Sequence, residues 1–251
     1  MALIAIDRDV RRALAEKGFA WIPQAAWTIG SDLQLHWQRL CQDWDHLELD
    51  RYLKEDLKFR LRRYGRYAWS PAEDTLTPLA PEPYFQPEDE NAYAGGIARA
   101  FAPLLPETVS NPFLHALVRS TFACLPITGP KQAGTGTWEV RIHQIRIVAT
   151  PEEPGLPAPE GIHQDGTDFL TLHLVGRRNV VGGESTIYDL SCKSIQRFTL
   201  RETLDSLILE DPRIMHGVTP VHSADGQRLG VRDLLGIDFI FTSQREGSVG
   251  R

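Results

Sequence analysis

The chain is 251 residues long and sets 27 lysines and arginines against 33 aspartates and glutamates, a formal net charge of −6. That balance argues against nucleic acid or an anionic membrane as the main partner, because both call for a basic face, and leaves small molecules as the expected ligands. The length suffices for a full core in one large domain, 1–251, and the three cysteines, Cys41, Cys124 and Cys192, are too scattered and odd in number for a disulfide framework or a thiolate metal site, which fits a reducing cytoplasm.

The N-terminal portion reads as helical. Met1 to Ile6 is apolar, but Asp7, Arg8 and Asp9 interrupt it at once, so it offers neither a signal-peptide core nor a membrane span. Asp9 predicts the N-cap of a helix that runs through Glu16 and stops at Gly18. Ser31 predicts a second helix reaching to about Leu61, with Leu33, Trp37, Leu40, Trp44 and Leu47 on its apolar side. Arg60, Arg62, Arg63 and Arg66, interleaved with Tyr64 and Tyr67, read as a solvated basic face rather than a grip on substrate. Asn91 to Leu105 predicts a helix weakened by Gly95 and Gly96, and Asn111-Pro112 has the cap-plus-first-turn pattern of another, with Leu114, Leu117, Val118 and Thr121 at helical spacing.

Near residue 134 the texture changes. After Gly134-Thr135-Gly136 the pattern becomes β: Val140 to Val148, Ile162 to Val175, Glu184 to Leu190, Ser206 to Glu210, Ile214 to Val221 and Leu229 to Phe241. These features predict an α+β chain, in which residues 1–134 form a mainly helical wrap around a double-stranded β-helix (jelly roll, cupin-like) core at 135–242, followed by a disordered tail at 243–251.

Within the β half, His163-Gln164-Asp165 carries the chemistry. In an extended chain the side chains at i and i+2 leave the same face about 6.6 Å apart, so His163 and Asp165 can lean on one ion while Gln164 points away. A third ligand must come from a strand distant in sequence, and His216, in Ile214-Met215-His216-Gly217-Val218, is placed to supply it. Two imidazoles and one carboxylate on a single face of a metal leave the opposite positions open, which is the arrangement of mononuclear non-haem iron oxygenases. The same set also suits zinc or manganese in a cupin-type hydrolase or isomerase, and a jelly roll can serve as a non-enzymatic binding module.

The stretch Pro159-Glu160-Gly161-Ile162-His163-Gln164-Asp165-Gly166, the run Gly182-Gly183-Glu184-Ser185-Thr186-Ile187-Tyr188-Asp189, then His216-Gly217-Val218-Thr219-Pro220 and Arg232-Asp233-Leu234-Leu235, together resemble the bacterial 2-oxoglutarate and iron dioxygenases that include isoleucine dioxygenase. The resemblance covers roughly residues 135 to 242. It implies Fe(II), 2-oxoglutarate as co-substrate, dioxygen, and a free amino acid as the molecule hydroxylated. It also implies that His163, Asp165 and His216 take the metal positions and that Arg232 holds the distal carboxylate of 2-oxoglutarate.

Strand geometry bears on that last assignment. With Ala224-Asp225-Gly226 as a three-residue hairpin loop and Gly226 left-handed, Val218 faces Arg232 and His216 faces Leu234, which puts Arg232 on the metal's side; a two-residue Asp-Gly turn would send it to the other face. In Val140 to Val148, alternation puts Gln144 and Arg146 together with Val140, Ile142 and Val148. A buried arginine needs an anion, and for Arg146 that is either the substrate carboxylate, with Gln144 beside it, or an acid of this chain. His173 reads as a satisfied core histidine, and Arg177, Arg178 and Asn179 as a turn.

Overall fold

The computed structural model describes residues 4–6, 9–54, 57–88, 91, 93–131 and 136–242, so the tail expected at 243–251 lies outside the described residues. In chain order the elements begin with β1 (Ile4–Ile6), α1 (Val10–Lys17), β2 (Phe19–Ile22), β3 (Trp27–Ile29), α2 (Ser31–Gln42), β4 (Glu48–Leu49), β5 (Arg60–Ser70) and β6 (Thr75–Pro78). They continue with α3 (Pro106–Val109), α4 (Pro112–Ala123), β7 (Thr137–Ala149), β8 (Phe169–Arg178), β9 (Val180–Gly182), β10 (Glu184–Tyr188) and β11 (Ser194–Thr199). Last come β12 (Ser206–Leu209), β13 (Met215–Val218), β14 (Val221–Ser223) and β15 (Gly230–Thr242).

The large sheet is ordered β2-β12-β8-β15-β7-β5-β4, with β6 added on β5, and its pairs are antiparallel. Across from it stand a three-stranded sheet, β11-β10-β13, and the β9–β14 ribbon. Two antiparallel sheets facing one another make the jelly roll. Its outer face carries the main core: Leu33, Leu40 and Trp44 from α2 and the turn after it, and Phe113, Leu114 and Leu117 from α4, pack on Val140 and Ile142 of β7 and Leu235 and Ile237 of β15. Side chains one residue out of phase on the same strands, His143, Ile145 and Ile147 of β7 and Arg232, Leu234 and Asp238 of β15, face the cavity between the sheets.

Local chemistry explains the helices. Asp9 accepts from the Arg12 N–H at 3.0 Å and Gly18, at φ +78°, ends α1. Asn111 Oδ1 accepts from the N–H groups of Phe113 and Leu114 at 2.9 and 3.2 Å, ahead of Pro112 at the first turn of α4.

Two helical expectations are corrected. The second helix ends at Gln42, and Arg60 to Ser70 is instead an 11-residue strand beside β7. Its alternation separates Arg60 and Arg62 on the cavity, with Tyr64 packed on the rings of His143 and Tyr84, from Leu61, Tyr67 and Trp69 on the core side. Among the described residues of 91–105 there is no helix: Asn91 Oδ1 caps a turn by accepting from Tyr93 and Ala94, and Tyr84 pairs with Arg99 in a short antiparallel bridge. The asparagine and the glycine pair favour turns more than the apolar spacing favours helix.

Candidate metal centre

His163 and His216 meet through their backbones. The N–H of each donates to the carbonyl of the other at 2.9 Å, which brings the imidazole centroids to 4.3 Å. Asp165 completes the set, with Oδ1 3.8 Å from His163 Nε2 and Oδ2 3.5 Å from His216 Nε2. One ligand atom from each of the three lies within 4.8 Å of the others. His163 Nδ1 donates to the Gly161 carbonyl at 3.0 Å, which fixes the tautomer and leaves Nε2 with its lone pair on the shared side.

Asp165 is not in an extended strand, since β8 begins only at Phe169. Its loop is held instead by Asp211, a residue that the sequence reading did not single out. Asp211 is 1% exposed, and its carboxylate accepts from the backbone N–H groups of Asp165, Gly166 and Thr167 at 2.8 to 3.1 Å. Gln164 reaches the Asp211 carbonyl with its side chain. Its place five residues before His216 in the chain is the only sequence signal Asp211 offers.

Burial dominates the electrostatics. It pushes the Asp165 carboxyl up, against the pull of His163, and pushes His216 well down. A divalent cation would reverse both penalties by supplying the missing positive charge, and a nitrogen–nitrogen–oxygen donor set with one open face suits Fe(II).

Arg232 opens on the same cavity from β15. It is 0% exposed, and among the described residues none of Nε, Nη1 and Nη2 has a hydrogen-bond partner. Burial, with Arg177 nearby, lowers its pKa to about 9. The side chain passes over Gly183, where a Cβ would come within 3.2 Å of Arg232 Cδ, so the glycine makes room for it. The hairpin that the sequence suggested between the His216 and Arg232 strands does not form: β13 pairs with β10, β14 with β9, and β15 with β7 and β8. Gly226 is left-handed as expected, at φ +62°, yet Arg232 reaches the metal's side from the opposite sheet.

The other sequence-selected residues divide. Gln144 and Arg146 face away from the cavity. Gln144 is fully buried beside Asp43 on the helix side, and Arg146 makes a two-point ion pair with Asp233, at 2.7 and 2.8 Å, so of the two anions considered for it the chain's own acid is the one present. β7 is buried on both faces, so alternation alone could not say which face met the cavity. His173 is a core histidine, bonded to Thr171 and Ser206 and edge-on to Trp27. Arg177 and Arg178 belong to β8, and only Asn179, at φ +52°, is the turn residue.

The arginines of β5 correct the solvated-face reading in part. Arg63 and Arg66 pair with Glu48 and Glu139, whereas Arg60 and Arg62 are buried against the cavity with Asp50.

The sequence profile of the 2OG-Fe dioxygenases matches residues 41–238. The chain belongs to that family. This dioxygenase is 28% identical over 203 residues to L-isoleucine-4-hydroxylase of Bacillus thuringiensis, covering 77% of this chain and 81% of the relative. It is 27% identical over 240 residues to 3(1)-hydroxy-L-isoleucine 4-dioxygenase of Pantoea ananatis, covering 90% and 93%. Among solved structures, a bsmA homolog of Methylobium petroleophilum superposes with a TM-score of 0.76 at 28% identity, covering 92% of this dioxygenase and 91% of that chain. The structure of IDO from Bacillus thuringiensis gives 0.76 at 21% identity, covering 94% and 95%, which supports the jelly-roll fold. The family's requirements are Fe(II), 2-oxoglutarate and dioxygen. No helix among the described residues is long and apolar enough to cross a membrane.

Proposed function

We propose that this dioxygenase hydroxylates an unactivated carbon of a free L-amino acid, aliphatic such as isoleucine or leucine, or cyclic such as proline or pipecolate, with the chain acting as one catalytic unit in the cytoplasm. Iron is held by His163, Asp165 and His216. The observation that carries the reading is Arg232: a wholly buried guanidinium with three nitrogens unpartnered among the described residues, on the cavity that the triad also faces. A buried cation without a partner is costly, and the far carboxylate of a five-carbon diacid bound at the metal would supply the partner in paired hydrogen bonds. Both curated relatives act, by their names, on isoleucine or its hydroxylated form, which supports the substrate class.

When bound, iron with 2-oxoglutarate and dioxygen supplies the oxidising power for C–H hydroxylation, releasing succinate and carbon dioxide. The protein's share is placement. The Asp211 clamp fixes the Asp165 loop, the Gly161 carbonyl sets the His163 ring, and the apolar walls Leu170, Leu172 and Leu234 keep water from the target carbon. The free thiols of Cys41, Cys124 and Cys192 fit a reducing compartment.

The test is anaerobic reconstitution with ferrous iron, admission of dioxygen, and measurement of succinate against a panel of free L-amino acids. Succinate above background with at least one amino acid, with the hydroxylated product in equal amount, is the expected result. Succinate that no amino acid increases would overturn the substrate class.

A further inference from the structure

Across β7 from Arg232, the same cavity holds a second group of guanidinium ions that the metal and the co-substrate leave unused. Arg60, Arg62 and Arg99 are 7%, 6% and 2% exposed, and among the described residues the buried carboxylate paired with them is Asp50 alone. Asp50 spends its short contact on Arg60, at 2.7 Å, and stands 3.8 Å from Arg62. Arg62 and Arg99 both pack on the rings of Tyr84 and Phe101, close enough for Arg99 to disfavour the charge on Arg62, and among the described residues the Nε of each has no hydrogen-bond partner. Two buried like charges on one aromatic platform carry a desolvation and repulsion cost that an anion between them would relieve.

Both side chains are locked in position. Arg62 Nη2 lies 2.6 Å from His143 Nδ1, and because a guanidinium can only donate, Nδ1 accepts and the ring proton is on Nε2, which donates to Asp238 at 3.0 Å. Arg99 donates to Gln86 Oε1 at 2.7 Å, while Gln86 Nε2 donates to the Asp165 carbonyl at 3.3 Å. A single side chain thus links the second cation site to the metal loop. On the metal's side of the same cavity, Glu160 Oε1 approaches His163 Nε2 at 3.2 Å and is near enough to Arg99 to favour its charge.

We infer that Arg62 and Arg99 bind the α-carboxylate of the substrate and that Glu160 binds its α-ammonium, so that a zwitterionic amino acid is held by its head with its side chain directed at the metal. This assignment rests on the amino-acid reading above and moves the carboxylate grip from Arg146 on the outer face of β7 to the β5 side of the cavity. A cation pair with one acid beside it selects a free amino acid over an amide, an ester or a residue within a peptide chain.

The experiment uses the full chain loaded anaerobically with manganese(II) and 2-oxoglutarate, and calorimetric titration of L-isoleucine, or of leucine, proline or pipecolate if one of these gives more succinate in the panel. The same amino acid's carboxamide and desamino acid are titrated in parallel. Wild type should bind the carboxamide and the desamino acid each about 10- to 100-fold more weakly than the amino acid, the cost of an unmet charged hydrogen bond. Arg99→Gln should weaken the amino acid by a similar factor, leave the carboxamide nearly unchanged and keep 2-oxoglutarate affinity. Glu160→Gln should weaken the amino acid while sparing the desamino acid.

Equal wild-type affinity for acid and carboxamide would overturn the inference without any variant, even where Arg99→Gln does not fold. So would an Arg99→Gln variant that loses acid and carboxamide alike, or that loses 2-oxoglutarate. In each of these cases amino-acid-dependent succinate persists in wild type. A panel with no amino-acid response overturns the substrate class itself, and the inference with it.

Discussion

The carboxylate of Asp211 holds the backbone of Asp165, accepting its N–H at 3.0 Å through Oδ1 and at 3.1 Å through Oδ2. Gly166 and Thr167 donate to the same group, so one buried side chain satisfies three consecutive N–H groups and sets the direction in which Asp165 leaves the loop. Asp211→Asn replaces one acceptor with a donor that faces an N–H. The expected cost is about 1–3 kcal/mol of stability, together with about a 10- to 100-fold loss of iron affinity from a misdirected ligand. Thermal melting of the metal-free protein and a competition titration with ferrous iron measure the two effects. Unchanged iron affinity in a folded variant would show that the loop holds its shape without the clamp.

Arg232→Met should separate stability from function. In the metal-free protein the guanidinium is buried and unpartnered, so an apolar side chain of similar length removes a desolvation penalty, and the variant should melt at or above the wild-type temperature. Its need for 2-oxoglutarate should rise far more than its need for the amino acid. Added 2-oxoglutarate with manganese(II) should raise the melting temperature of wild type and not that of the variant. A variant still stabilised by 2-oxoglutarate would place the distal carboxylate elsewhere.

The ligand triad was legible in the sequence because metal chemistry restricts residue type, so His163, Asp165 and His216 stand out wherever the chain places them. Their surroundings were not. β7 carries apolar and polar side chains on both faces, and alternation identifies two faces without saying which meets the cavity, so the sequence pointed to Gln144 and Arg146 where the structure sets His143 and Ile145 on the cavity. The sequence reached Arg232 through a hairpin that does not form, and the residue still lines the cavity because β15 joins the large sheet beside β7 and β8. Arg62 reads as exposed from composition, because an arginine is normally solvated. What buries it is Asp50, Tyr84, Phe101 and His143, scattered over almost a hundred residues and joined only by folding. Asp211 acts through backbone N–H groups, which leave no mark on the sequence they support.

His173 gives a pH dependence with a defined sign. Ser206 Oγ donates to the Leu204 carbonyl and therefore accepts from His173 Nδ1, while Thr171 donates to Nε2, so the buried ring is neutral and fully bonded. Burial lowers its pKa from 6.5 to about 3. The unfolded chain takes up a proton below pH 6.5 that the folded chain refuses, so this contribution is fully present above 6.5 and is lost as pH falls toward 3. The slope in that window is up to about 1.4 kcal/mol per pH unit. Urea unfolding of the metal-free protein at about pH 5 and about pH 7 should show His173→Gln losing less stability on acidification than wild type by close to one proton's worth. Equal slopes would mean that the ring protonates in place.

Arg146 and Asp233 provide the contrast between a structural ion pair and a substrate grip. Their contacts of 2.7 and 2.8 Å involve side chains only 14% and 8% exposed, on the face of the sheet away from the metal. Arg146→Met leaves Asp233 buried without its partner and should cost about 3 kcal/mol. Arg146→Met combined with Asp233→Leu removes both charges and should recover most of that loss, because an apolar pair of similar volume avoids desolvation altogether. Neither variant should change the KM for the amino acid, since the pair does not line the cavity. A carboxylate grip would give the opposite pattern: the KM would rise in the single and the double variant alike, and restoring stability would not restore substrate affinity. Chemical unfolding and initial-rate measurements on the two variants therefore decide between the roles, and they do so independently of whether Arg62 and Arg99 hold the substrate.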